Sequence, residues 1–202
     1  MSTLQINKNK FLIYNTCPFD SVALIIAMAY TDIRSYKMFI DSNENKMLLF
    51  CKSLALNGPN RQIYIDRLEI LKPCFQETEN LTNIKIINTE CNVSFIVTTL
   101  LQNAPSAIEN VQCSNINCSN TDKQMPSRSI ILRFKSNGFN SIQEQLEKYV
   151  ATRKYNCDKC TGDIYSNRIL MQHLFIETDV YASNNLFGFE EFPTKLNIND
   201  KE

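Results

Sequence analysis

The sequence predicts an α+β fold, mainly helical over residues 1–109 and richer in strands over 110–202. Three observations predict it. A long uncharged run, Cys17 to Tyr30, reads as a helix. After Ser129, Ile130, Leu132 and Phe134 alternate with Ile131, Arg133 and Lys135, which reads as a half-buried strand. Two cysteine pairs, Cys113/Cys118 and Cys157/Cys160, bracket that strand and a helix behind it.

Composition excludes several classes. Lys+Arg and Asp+Glu number 21 each, the pI is about 6.6, and no basic cluster exceeds two residues. Phosphate-backbone electrostatics therefore do not dominate, and no nucleic-acid partner is expected. The apolar stretch 22–30 is too short to span a membrane. No basic leader with an apolar core and cleavage site is recognisable, so the expected location is intracellular, in cytoplasm or nucleus. Glycine occurs only four times and neither GxGxxG nor GxxxxGK is present, which removes the common phosphate cradles. Glycosylation-like triplets at Asn80, Asn92 and Asn117 carry no weight without export.

In chain order, Phe11 to Tyr14 is a short extended lead-in. Asp20 or Ser21 then caps a helix whose body, Val22 to Tyr30, is apolar on every face and belongs in the middle of a domain. Tyr36–Phe39 and Met47–Leu56 are further helical segments, and Gly58-Pro59-Asn60 is a break. Ile63, Leu68, Leu71 and Phe75 form a helical stripe that Pro73 terminates. Ile84–Ile87 reads as a strand, as does the β-branched first half of Val93–Leu101. Residues 110–128 are polar and, without an external tie, would be mobile. Ser141-Ile-Gln-Glu144 fits a capping box at the head of a helix over 142–152. Ile169–Val180 is a strand or hairpin arm, and Leu186, Phe187, Phe189 and Phe192 make the last segment too apolar for a free tail.

Inside a reducing compartment, grouped cysteines point to metal. Cys157-x2-Cys160-Thr-Gly162 has the form of a zinc knuckle, because two sulfurs at that spacing reach one ion and the glycine eases the turn. Cys113-x4-Cys118 supplies the other half of a structural Zn2+ site. The competing readings are a redox-active C-x-x-C pair and cysteines with no shared role. Cys17 stands just before its helix, where unpaired N–H groups and the helix dipole favour a thiolate; it reads either as a nucleophile or as a buried structural thiol. His173, the single histidine, is a candidate base or an ordinary packed side chain within a strand. Asp20, Asp163, Asp179 or Asn184 could each orient its imidazole.

Together these features resemble the ubiquitin-specific protease family and its SUMO-directed relatives. The family's box Gly-Asn-Thr-Cys-x-x-x-Ser is matched by Tyr14-Asn15-Thr16-Cys17-Pro18-Phe19-Asp20-Ser21. The second half follows in order: a cysteine pair (Cys113, Cys118), a strand (Ile130 to Phe134) and a helix like Ser-Leu-x-x-x-Leu-x-x-Tyr (Ser141, Ile142, Leu146, Tyr149). Then come Tyr155-Asn-Cys157-x-x-Cys160 and a strand like Leu-Pro-x-x-Leu-x-Ile (Leu170, Met171, Leu174, Phe175, Ile176).

The resemblance implies a papain-like fold, with a helical thumb led by Cys17, β fingers pinned by zinc and a partial palm. It implies a thiol protease (hydrolase) of deubiquitinase type. Its partner would be ubiquitin or a ubiquitin-like protein, whose carboxyl-terminal tail enters the cleft between thumb and palm. Cys17 would form an acyl-enzyme, cleared by a histidine-activated water.

Three departures bear on activity. Leu12 stands where the family has an oxyanion-stabilising Asn or Gln, and Tyr14 replaces the glycine. The family's Gly-His-Tyr box and its following Asp or Asn have no counterpart up to Glu202. The expectation is an incomplete or degenerate isopeptidase, in the limit a pseudoenzyme. The alternative is a zinc-stabilised, non-catalytic module that binds a ubiquitin-like protein. Oligomeric state is left open.

Overall fold

Leu4, Ile6, Phe11 and Ile13, spaced for one face of a strand pair, pack with Leu68 and Ile87 in one small core. In the computed structural model, which describes residues 3–79, 84–134, 138–180, 193 and 195–197, Leu4–Ile6 (β1) and Asn9–Tyr14 (β2) form an antiparallel pair. The chain divides into two compact units, 1–104 and 105–202.

In the first unit, helix α1 runs Cys17–Asp32. It starts earlier than the sequence suggests: Thr16 is the N-cap residue, Cys17 is the first helical residue, and Pro18 occupies the first turn, where its missing N–H costs nothing. Neither Asp20 nor Ser21 caps it. Phe19, Val22, Ala23, Ile26, Ala27 and Tyr30 form one buried stripe. The expectation of burial on all faces is corrected by Leu24, Ile25 and Met28, which are 56%, 62% and 55% exposed.

Helix α2 (Arg34–Asp41) and helix α3 (Lys46–Asn57) follow, then α4 (Arg61–Leu71), which ends just before Pro73. Asn45 caps α3: its Oδ1 accepts from the N–H groups of Met47 (2.8 Å) and Leu48 (3.1 Å). Its Nδ2 donates to the Leu100 carbonyl at 2.8 Å and to Asn103 Oδ1. Asn45 is only 5% exposed, so none of these bonds is replaced by bulk water. Asn45→Ala is expected to lower stability by about 2 kcal/mol, the upper end for a lost cap; urea denaturation of the pure protein measures it. Beyond α3, Gly58 sits at φ 63°, a backbone region that glycine enters without strain.

Strands β3 (Glu77–Glu79) and β4 (Ile84–Asn88) complete the first sheet, in the order β1-β2-β4-β3, with β2 and β4 parallel and Leu12 opposite Ile86. Val93–Leu100 is helix α5, which corrects the strand expected there. Asn92 caps it through Phe95 N–H at 2.7 Å. That cap, and burial of Ile96 and Val97 on a helix that packs on α1, override the β preference of Val93, Val97 and Thr98.

In the second unit, Ala107–Cys113 (β5) and Lys123–Ser127 (β6) are paired strands, so much of the polar span 110–128 is ordered. Ile130–Phe134 is β7, as the alternation predicts. A 3-10 turn, Gly138–Ser141, leads into α6 (Ile142–Val150). The capping box does not form. Ser141 makes no side-chain cap, its Oγ instead accepts from Gln145 Nε2 at 2.8 Å, and Glu144 pairs with Lys148.

Arg153–Asn156 (β8) and Asp163–Leu170 (β9) join the antiparallel sheet β6-β5-β9-β8. Ile176–Val180 (β10) pairs parallel with β7. The span 169–180, expected as a strand or hairpin arm, holds the end of β9 and the whole of β10, with 171–175 between them. Ile130, Leu132, Ile142 and Leu146 form the core between α6 and β7, with Tyr149, Leu170, Leu174 and Leu196 against it. Leu186, Phe187, Phe189 and Phe192 lie outside the described residues. Among the described residues, no helix is long and apolar enough to cross a membrane.

Candidate metal centre

The four cysteines singled out by spacing meet at one end of the sheet β6-β5-β9-β8. Cys113 is the last residue of β5 and Cys118 lies in the loop leading to β6; Cys157 and Cys160 occupy the turn between β8 and β9. Antiparallel pairing sets Cys113 opposite Ile164, and so brings the two cysteine loops to the same edge. Ser114 N–H donates to the Asp163 carbonyl (2.8 Å) and Asp163 N–H to Ser114 Oγ (2.9 Å), which ties the loops together.

All four sulfurs lie within 4.8 Å of one another. Cys113 and Cys160 are 3.5 Å apart, Cys118 and Cys157 3.6 Å. Tetrahedral zinc with bonds of about 2.3 Å separates its sulfurs by about 3.8 Å. The fit is therefore close, and a donor set of four cysteine sulfurs suits a closed structural zinc site. Cys113 and Cys157 are buried, with Val111 and Ile164 packed around them.

The backbone is arranged for thiolates. Lys159 N–H points at Cys157 Sγ (3.4 Å), Gly162 N–H at Cys160 Sγ (3.4 Å) and Asn120 N–H at Cys118 Sγ (3.4 Å). The Lys159 N–H, helped by the Asn120 amide and neighbouring thiols, outweighs burial and pulls the Cys157 thiol down to about 6. Cys113 accepts from the Asn115 N–H, yet burial and the adjacent sulfurs push it up to about 12. Without a cation, four crowded thiols share few ionised states; a divalent ion removes that conflict. Gly162 is needed for space: a Cβ there would stand 2.8 Å from Ser114 Oγ and 3.2 Å from Cys113 Sγ.

No known protein-family model matches the chain. Over 187 residues it is similar to a "120.7 kDa protein in NOF-FB transposable element" of Drosophila melanogaster, at 26% identity. The match covers 89% of this chain and 17% of that protein, so the chain spans about a sixth of its relative.

Cys17 is exposed at the first residue of α1. The turn before it is specific. Asn15 has φ 59°, and its Nδ2 donates to Asn88 Oδ1 at 3.0 Å; Thr89 N–H and Oγ1 donate to the Tyr14 carbonyl at 3.1 and 2.9 Å. Thr16 Oγ1 donates to Asp20 Oδ2 (2.6 Å), and Arg67 Nη1 holds the same carboxylate at 3.0 and 3.2 Å. Asp20 is thus committed to Arg67. Asp163 pairs with Lys154 at 2.8 Å, and the side chains of Asp179 and Asn184 lie outside the described residues. His173 belongs to the second unit, in the irregular segment between β9 and β10, with its ring 5.2 Å from that of Phe175; it is not within a strand.

Proposed function

We propose that this chain is a zinc-pinned, thiol isopeptidase-like module of papain-like ancestry. It engages the carboxyl-terminal tail of ubiquitin or a ubiquitin-like protein and turns it over slowly or not at all. The observation that carries this reading is Cys17, exposed at the head of α1 directly behind the shaped Asn15-Thr16 turn. An exposed thiol here can attack an isopeptide carbonyl: the S–C bond forms, the C–N bond breaks, the thiol's proton leaves with the amine directly or through water, and an acyl-enzyme remains.

Low turnover follows from two features of the chain. Leu12, half-buried on β2, donates nothing to an oxyanion, and loss of one such donor costs about 3 kcal/mol of barrier. The Gly-His-Tyr box that the family uses to shuttle the proton has no counterpart in this sequence. Likeness to a segment of a transposable-element protein supports a further reading, that the module serves within a longer polypeptide encoded by a mobile element.

The test is labelling of zinc-loaded protein with ubiquitin carrying a carboxyl-terminal thiol-reactive warhead, beside a SUMO version and Cys17→Ala. An adduct with wild type that disappears in the alanine variant is expected. No adduct with either probe, in folded protein, would favour the second reading. That reading is a non-catalytic module binding a ubiquitin-like protein, and it rests on the completeness of the four-cysteine cluster.

A further inference from the structure

Asn120 touches both halves of the cysteine cluster through hydrogen bonds. It lies in the loop between β5 and β6, two positions after Cys118. Its backbone N–H is 3.4 Å from Cys118 Sγ. Its side-chain Nδ2 is 3.5 Å from Cys157 Sγ and 2.8 Å from Asp158 Oδ1, while its Oδ1 accepts from Lys123 Nζ at 2.6 Å. A primary amide has two donor hydrogens and one acceptor oxygen, and each has a partner here. The side chain is half-buried and pinned at both ends, by Asp158 on the second knuckle and Lys123 on β6.

Four thiolates around one divalent cation leave a net charge of −2. N–H groups aimed at the sulfurs offset that charge and fix the direction of each lone pair. Such outer contacts commonly govern metal affinity by ten- to a hundredfold. Lys159 and Gly162 each serve a sulfur within their own knuckle. Asn120 serves one sulfur from each, so it couples the positions of two loops far apart in sequence. We infer that Asn120 is a positioning residue for the metal centre: it clamps the Cys113/Cys118 loop to the Cys157/Cys160 turn, and so sets how tightly zinc is held and how fast it leaves. This inference rests on the zinc reading of the cluster and is independent of any role for Cys17.

The experiment uses the full chain. Zinc content per protein is measured first, with a chromophoric chelator after cysteine modification; one ion is expected in wild type. Chelator competition then compares wild type with Asn120→Ala, Asn120→Asp and Asn167→Ala, the last removing an exposed amide on β9. Asn120→Ala is expected to weaken zinc binding ten- to a hundredfold and to speed its release. Asn120→Asp keeps the shape but puts a carboxylate against the sulfurs, so its loss should be at least as large. Asp158→Ala, which frees one end of the amide, should act in the same direction but less.

With cobalt(II) in place of zinc, the sulfur-to-metal charge-transfer band should shift in both Asn120 variants and stay put in Asn167→Ala. Wild-type affinity and an unchanged cobalt spectrum in Asn120→Ala and Asn120→Asp would overturn the clamp while leaving the metal site standing. Failure of wild type to take up any zinc would overturn both.

Discussion

Removing zinc from the full chain is expected to open residues 105–180 to protease within the time that the zinc-loaded protein resists it. Apolar burial at this end of the sheet is slight: Val111 and Ile164 are the buried aliphatic residues packed with Cys113 and Cys157. Folding free energy of whole domains is about 5–15 kcal/mol, whereas binding of structural zinc is worth about 10–16 kcal/mol in small cysteine-ligated domains. The ion is therefore the larger quantity locally. Without it, four sulfurs remain crowded together with backbone N–H groups aimed at three of them and no cation among them. Early cuts should fall in the loops 114–122 and 157–162, and zinc, not magnesium, should restore resistance. Cys160→Ser should reproduce the effect without chelator. Unchanged cleavage after complete zinc removal would show that hydrogen bonding alone holds the loops.

The four metal candidates are legible in the sequence because ligand spacing is a local property: both pairs can be read without knowing the fold. What spacing cannot supply is the partnership. That comes from the register of β5 on β9, which sets Cys113 opposite Ile164 and carries Cys118 with it. Asn120 is invisible for the same reason, since it looks like any polar loop residue until Cys157 is beside it. Gly162 stands out in the sequence as a residue that eases a turn, whereas its role in the fold is close approach to Ser114 and Cys113.

The departures of the fold from expectation have a common source. At Val93–Leu100 and Ser141–Glu144 residue type points one way, and in both cases neighbours decide otherwise. For α5 the deciding signal is present in Asn92, a strong cap just ahead of the apolar run. At Ser141 the 3-10 turn that precedes α6 leaves its hydroxyl accepting from Gln145 instead of capping. The apolar run of α1 hides a different ambiguity. A helix with nearly uniform hydrophobicity cannot show which side faces the core, and here Leu24, Ile25 and Met28 face outward.

Arg168→Ala is expected to destabilise the second unit by about 3–5 kcal/mol, because it strands a carboxylate that the fold encloses. Glu109 on β5 and Arg168 on β9 stand directly opposite, with side chains only 17% and 16% exposed. Arg168 Nε and Nη2 reach Glu109 Oε2 at 3.2 and 3.1 Å, and Ser166 Oγ donates to Oε1. The guanidinium also donates to the Tyr149 carbonyl (3.2 Å) and lies 4.4 Å from the Tyr149 ring centre, which ties the sheet to α6. Burial by itself raises the Glu109 pKa, but Ser166 and Arg168 outweigh it and hold the carboxyl below its ordinary 4.5.

The sign of the pH effect follows from linkage. With a depressed native pKa the unfolded chain binds more protons, so this group's contribution is complete above about pH 4.5 and fades as pH falls through the native value. In Arg168→Ala burial remains while the paired cation is lost, so the carboxyl pKa rises from its wild-type value against the remaining pull of Ser166 and the Arg153 charge, and acidification from pH 7 relieves part of the penalty. The gap in unfolding free energy between wild type and variant should thus narrow from pH 7 to pH 4.5. Loss of zinc ligation in acid acts on both proteins and drops out of that difference. Urea unfolding of the two side by side at pH 7, 6, 5 and 4.5 reads it directly. A gap that stayed constant across this range would mean that Glu109 keeps its charge without Arg168, with Ser166 and water enough to hold it.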